Sequence, residues 1–191
     1  GDKVMLVLKR NYQYWYAILG LMKLGAIAIP ATHMLTTKDF QYRFQAADVS
    51  AVIATAHAEA AHYIDEADEL LGDRHLRVKA IVNGTHEGWH DFDSEIMQYP
   101  DTMERIPTRA DELHLLYFTS GTTGRSKGVM LSQKNLFSAM PAFLDPFDDV
   151  KKYTGWNTDE FSSLSALPMF HISAMTSLVS WSITGHSINL C

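Results

Sequence analysis

The chain has 191 residues, 47% hydrophobic and 20% charged, a balance that supports a globular core and excludes a disordered polymer. Sixteen Lys and Arg against 22 Asp and Glu leave a net charge of -6, which argues against a protein built to coat nucleic acid or anionic lipid. The single cysteine, Cys191, excludes an internal disulfide framework or thiolate zinc cluster and fits a reducing, cytoplasmic setting.

Val4-Met5-Leu6-Val7-Leu8 is a short continuous apolar run and predicts a strand buried on both faces. Tyr12, Trp15, Tyr16, Leu19 and Met22 recur at helical spacing and predict a helix packed on the core through that stripe, ending at Gly25. A strand over Ala26 to Ile29 stops at Pro30. Thr36, three residues before Asp39, forms a capping box that opens a helix of about Thr37 to Ala47, and Ala51 to Ala54 is the next strand. Ala56 to Leu71, closed by Gly72, reads as a helix, and Val78 to Val82 as a strand turning at Asn83-Gly84.

From Thr85 to Glu112 the pattern gives way to a surface excursion rich in Gly, Asp, Pro and Thr. Strands are predicted at Leu113 to Phe118, Val129 to Leu131, Ser162 to Leu167 and Ser187 to Leu190. Helices are predicted at about Gln133 to Phe143, capped by Ser132, and at about Ile172 to Thr184. The alternation predicts an α/β fold with a parallel sheet flanked by helices. Three portions result: 1–84, a first α/β portion; 85–112, the excursion; and 113–191, which carries a loop considered next. The longest apolar tract, Ala17 to Ala31, is broken by Lys23, Gly25 and Pro30 and falls short of the roughly 20 residues a bilayer-crossing helix needs. The start at Gly1-Asp2, without Met, reads as a piece of something longer.

Thr119-Ser120-Gly121-Thr122-Thr123-Gly124-Arg125-Ser126-Lys127-Gly128 holds three glycines, five hydroxyls, two cations and nothing acidic, between two predicted strands. Glycines let backbone N–H groups converge, hydroxyls add donors and a lysine adds charge, which together make a cradle for phosphate oxygens. A flexible linker of the same composition needs neither Arg125 nor Lys127. The spacing is not Walker A, since Ser126 precedes the lysine and Gly128 follows it, so a GTPase or ordinary ATPase is disfavoured.

The stretch from Tyr117 to Val129 resembles the phosphate-binding signature of the adenylate-forming superfamily. Leu21 to Ala31 is similar to that family's early helix-to-strand segment, and Leu167-Pro168-Met169-Phe170-His171-Ile172 to its Pro-x-Phe-His segment. All three fall in the family's order, and Gly1 to Thr55 looks most like its short- to medium-chain acyl-CoA synthetases. The resemblance implies a fragment of the large N-terminal domain of an AMP-forming acid-thiol ligase, with ATP, Mg2+ and coenzyme A as its small-molecule requirements. It implies that Thr119, Ser120, Gly121, Thr122, Thr123, Gly124 and Lys127 hold ATP phosphates and that His171 shapes the acyl pocket. It implies no complete catalytic set and no metal ligand within the chain, a fragment inactive alone, and a sheet edge near Ser187 to Leu190 open to self-association. Ser126 stands where the family usually has Pro, and Gln133 where His is common. Alternatives are a non-catalytic nucleotide-binding module and an adenylation domain that loads another thiol.

His86-Glu87-Gly88-Trp89-His90 spells the zinc-protease string, but Gly88 and the preceding Asn83-Gly84 turn argue against the helix that string needs, leaving a solvated loop. Asn83-Gly84-Thr85 matches a glycosylation acceptor that matters only in a secreted chain, and His57 and His62 read as exposed polar positions.

Overall fold

Four apolar side chains in succession, Val4 to Val7, would leave a wet face on a surface helix. Instead they form the centre of a sheet as strand β1 (Lys3–Val7). The computed structural model describes residues 1–57, 59–72, 76–119, 124–139, 149, 152–155, 162–165, 167–176 and 187–190. After β1 come α1 (Gln13–Leu24), β2 (Ile27–Pro30), α2 (Thr37–Ala47), β3 (Ala51–Thr55), α3 (Ala60–Leu70) and β4 (Val78–Val82). A two-residue strand β5 (His90–Asp91) and a one-turn helix α4 (Phe92–Glu95) follow, then β6 (Leu113–Thr119), β7 (Lys127–Ser132) and α5 (Gln133–Ala139). Strands β8 (Ser162–Ser165) and β9 (Ser187–Leu190) pair in parallel as a separate two-stranded sheet, and 172–176 is helical. The remainder of the helix predicted to reach Thr184, and of the one predicted to reach Phe143, lies outside the described residues.

The main sheet has the order β5-β4-β3-β1-β2-β6-β7. Every pairing in it is parallel except β6 with β7. The predicted α/β fold with a parallel sheet is therefore what forms, with one antiparallel edge strand. The connection from Thr119 to Lys127 is too short for a parallel crossover, which takes about a dozen residues or more, so the chain turns back as a hairpin.

Alternation along each strand feeds two cores. Met5, Val7, Ile29, Val52, Ala54 and Ile81 meet Phe40 and Phe44 of α2 and Ile64 of α3 on one face. Val4, Leu6, Ala28 and Leu115 meet Tyr14, Ile18 and Leu21 of α1, Leu136 of α5, and Met169 and Met175 on the other.

α1 ends at Gly25 as its sequence predicts, with φ 64, where a Cβ would also sit 3.1 Å from the Thr108 side chain. Its buried face is not the predicted one. Tyr14, Ala17, Ile18 and Leu21 face the sheet, whereas Tyr12 and Tyr16 are each 56% exposed and stack edge-on at 5.6 Å. Both stripes satisfy the helical period, and the one that contains the small Ala17 lets the helix lie close to the strands. Gln13 is buried with it because its amide donates to Asn83 Oδ1 at 2.9 Å and Asp93 Oδ1 at 2.7 Å.

The excursion after β4 is more ordered than its composition suggests. It adds β5 to the sheet edge and then α4, whose first amides, on Asp93 and Ser94, donate to the Asp91 carboxylate. Elements of two and four residues are too short to leave a periodic trace. α3 starts at Ala60, later than the predicted Ala56.

Candidate functional site

Parallel strands deliver their carboxyl ends to one edge of a sheet, and an antiparallel neighbour delivers its start to that same edge. Thr119, the last residue of β6, is thus in register with Lys127, the first of β7. The Thr119 hydroxyl donates to the Lys127 carbonyl at 3.4 Å, closing the neck of the loop. Both residues are exposed, as is Gly124, whose φ of 131 favours glycine. The structure therefore sets Thr119, Gly124, Arg125, Ser126 and Lys127 at the carboxyl edge of the sheet; Ser120, Gly121, Thr122 and Thr123 lie outside the described residues.

The second turn of α2 leans on this loop. Tyr42 donates its hydroxyl to the Ser126 carbonyl at 2.8 Å, and its ring lies under the Arg125 guanidinium at 5.2 Å. The same ring meets Phe118 edge-on at 6.3 Å, and the Arg43 guanidinium lies 5.3 Å from the Phe118 ring centre. Burial lowers the Arg43 pKa, although Asp39 and Tyr42 oppose this, and a guanidinium stays charged at neutral pH. Between α2 and the loop is an open cleft of about 660 Å³ lined by Lys38, Tyr42, Arg43, Gly124, Arg125 and Ser126 among others.

α1, which follows β1, packs on one face of the sheet, and α2, which follows β2, packs on the other. The loops that follow β1 and β2 therefore leave toward opposite faces, and a crevice lies between the carboxyl ends of these two strands, the side on which open α/β sheets bind ligands. A cavity of about 360 Å³ occupies it, walled by Leu8, Lys9 and Arg10 after β1, His33 and Met34 after β2, and Pro168, Met169 and Phe170. Burial, and then the charge of Lys9, lower the pKa of His33, so its ring is neutral at pH 7. Lys9 itself donates to the His57 carbonyl at 2.9 Å. His171 follows this wall and is exposed; its Nδ1 accepts from the Ser173 amide at 3.3 Å, which puts the ring proton of the neutral form on Nε2. It is not a core histidine.

The zinc-like string is not helical. Residues 87–88 form a turn, and the two histidines go separate ways: His86 Nε2 meets Asp65 at 2.7 Å, and His90 Nδ1 meets Glu95 at 2.9 Å. The expected solvated loop is corrected at Trp89, which packs on the core and donates Nε1 to Asp65 at 3.0 Å, beside Lys79 at 2.7 Å from the same carboxylate. His62 is exposed and pairs with Glu66 at 3.1 Å, His57 is exposed, and the Asn83 amide oxygen accepts from Gln13. Among the described residues no group of three or more His, Cys, Asp or Glu could hold a metal ion, and no helix is long and apolar enough to cross a membrane.

A family model described as AMP-binding enzyme matches residues 1–191. The chain belongs to the AMP-binding enzyme family. This AMP-binding family member is 37% identical over 135 residues to acyl-coenzyme A synthetase ACSM5, mitochondrial, of Rattus norvegicus, a match that covers 70% of this chain and 22% of the rat protein. It is 26% identical over 180 residues to 4-coumarate–CoA ligase 1 of Petroselinum crispum, covering 94% of this chain and 31% of the plant protein. The crystal structure of ATP-bound MatB from Rhodopseudomonas palustris shares the fold over 100% of this chain and 35% of that one, with a TM-score of 0.76 at 20% identity. The chain spans between about a fifth and a third of the length of the curated relatives it matches.

Two residues of the candidate site gave no signal in this family member's sequence. His33 stands alone in a loop, and Tyr42 reads as one more aromatic in an amphipathic helix; only the sheet order brings them to the crevice at the ends of β1 and β2 and to the loop between β6 and β7. Gln133, which replaces a common His, donates to the Thr108 hydroxyl at 2.8 Å and ties the start of α5 to the preceding excursion.

Proposed function

We propose that this chain is the phosphate-loop portion of a longer ligase that uses ATP to convert a carboxylic acid to an acyl-adenylate and then transfers the acyl group to coenzyme A. The observation that carries this reading is the placement of Thr119 and Lys127 opposite each other at the carboxyl edge of the sheet, on β6 and β7, with β6 directly beside β2 and the cavity at its end. Exposed donors and a cation with no acidic neighbour in the loop suit the phosphates of ATP.

In this mechanism the substrate carboxylate attacks the α-phosphorus, the bond to the bridging oxygen breaks, and pyrophosphate leaves with the electron pair. The protein supplies no nucleophile; it positions the reactants and stabilises the leaving charge. Thr119, Ser120, Gly121, Thr122, Thr123 and Gly124 donate to the β- and γ-phosphates, and Lys127 adds positive charge. Mg2+ enters with ATP. The cavity at the ends of β1 and β2, where Leu8, Met34, Pro168, Met169 and Phe170 meet Lys9, Arg10 and His33, receives part of the acid, and His171 lies beside it at the acyl side. For the compartment we propose a reducing one, which the single cysteine of this chain suits.

The test is acid-stimulated exchange of labelled pyrophosphate into ATP by the full-length protein, across a panel of acids. Lys127→Met is expected to lower exchange by about 10^2- to 10^3-fold, the scale of one lost preorganised contact to developing charge. Normal exchange in that variant removes the loop assignment, and a parent silent with every acid returns the chain to the non-catalytic binding modules. AMP release that depends on a carrier protein rather than coenzyme A reassigns the acceptor.

A further inference from the structure

A phosphate cradle works only if its donors are aimed before the ligand arrives, because ordering a loop at the moment of binding subtracts from the affinity. In this chain the position before Lys127 is Ser126 rather than a ring-locked proline, so its backbone torsion is freer than a proline's would be. Something else has to hold that shoulder. One turn of α2 touches both sides of the loop: Tyr42 takes the Ser126 carbonyl at 2.8 Å and lies under Arg125 on the outgoing side, while Tyr42 and Arg43 both pack on Phe118, the residue before Thr119, on the incoming side.

α2 is itself a firm platform. Phe40 and Phe44 anchor it in the core at 0% and 2% exposure, and the Asp39 carboxylate accepts from the Thr36 amide at 3.0 Å and the Thr36 hydroxyl at 2.7 Å. The Tyr42 hydroxyl bond fixes the Ser126 peptide, and that peptide is joined directly to Lys127. The guanidinium–ring contact meanwhile draws Arg125 toward the outer side, so that Lys127 is the cation at the loop's neck.

Building on the phosphate-loop reading, we infer that Tyr42 is a positioning residue for the ATP phosphates, acting through the Ser126 peptide to aim Lys127 in place of the stiffness a proline would give. It touches neither substrate nor reacting atoms. Its removal therefore weakens use of ATP and leaves use of the acid alone.

The experiment compares Tyr42→Phe, Tyr42→Ala and Lys127→Met in the full-length ligase, with pyrophosphate exchange measured against both ATP and acid concentration and melting followed in parallel. Tyr42→Phe, which loses only the hydroxyl bond, is expected to raise the ATP KM about three- to tenfold, in line with one hydrogen bond. Tyr42→Ala, which also loses the Arg125 and Phe118 contacts, is expected to raise it further, with the acid KM unchanged in both. A purely structural role predicts a lower melting temperature with no split between the two KM values. An unchanged ATP KM in both Tyr42 variants, beside a crippled Lys127→Met, overturns this inference alone; normal exchange in Lys127→Met overturns the loop reading and this inference with it.

Discussion

His114, on β6, is 2% exposed, and its Nε2 has no hydrogen-bond partner among the described residues. Burial lowers its pKa from the ordinary 6.5, and burial together with Lys9 lowers that of His33. Each ring is therefore neutral in the folded chain at pH 7 and binds a proton more readily when unfolded. The stability that depends on this neutrality is intact above about 6.5 and is lost as pH falls from there through the lowered folded values. The melting temperature is expected to be lower at pH 5.5 than at pH 7.5, and less so in His114→Phe; the same difference in the variant would place the titration elsewhere. Asp65 responds in another window. Burial raises its pKa, but hydrogen bonds from Lys79, His86 and Trp89 outweigh this and hold it below 3.8, so its contribution persists above that value and fails only as pH drops beneath it. The sequence showed none of these titrations, because they depend on which ring the fold buries and which carboxylate it surrounds with donors.

Among the elements, α2 is where local sequence and tertiary role meet. Its capping box was legible from Thr36 and Asp39 alone, and both bonds to the carboxylate are present. Asp39→Ala is expected to cost about 1 kcal/mol, read as a shift of the denaturation midpoint in urea with an unchanged slope. A neutral result would mean the first turn is held by Phe40 alone. The strands of the first 82 residues and the limits of α1 and α2 were legible for the same reason, since continuous apolar runs, caps and a glycine after α1 are local signals, whereas the start of α3 at Ala60 was not. The buried face of α1 was not, since two stripes fitted its period and only the distance to the sheet chose between them. The antiparallel turn of β7 was likewise hidden, because strand direction follows from the length and placement of a connection. For the site, composition marked the loop between Thr119 and Gly128, whereas Tyr42 and His33 became visible only through the strand order.

At the scale of the whole molecule, the proposed phosphate loop and the cavity beside it are the parts of the proposed site that this chain supplies. The chain covers about a fifth of the rat relative's length. Incubated with ATP, coenzyme A and a panel of acids, the 191 residues by themselves are expected to release no AMP above background while the full-length protein does. Release at the parental rate would overturn the reading of a dependent piece.

The placement of β6 beside β2 also bears on how the chain assembles. β1 to β4 join through short crossovers, so their pairings close small loops and can form early. β6 has to find β2 with Ala28 opposite Leu115, after the chain has already built the opposite side of the sheet and travelled through the excursion. That closure is the costliest in entropy, and the β6–β7 hairpin, although local in itself, has no buried face until it is made. The neck formed by Thr119 and Lys127 is thus among the last parts to take shape. An early-arrested chain would keep β1 to β4 protected from hydrogen exchange while the Tyr117 and Val129 amides still exchanged freely, and the contact between Tyr42 and the Ser126 carbonyl would be missing until that single docking event.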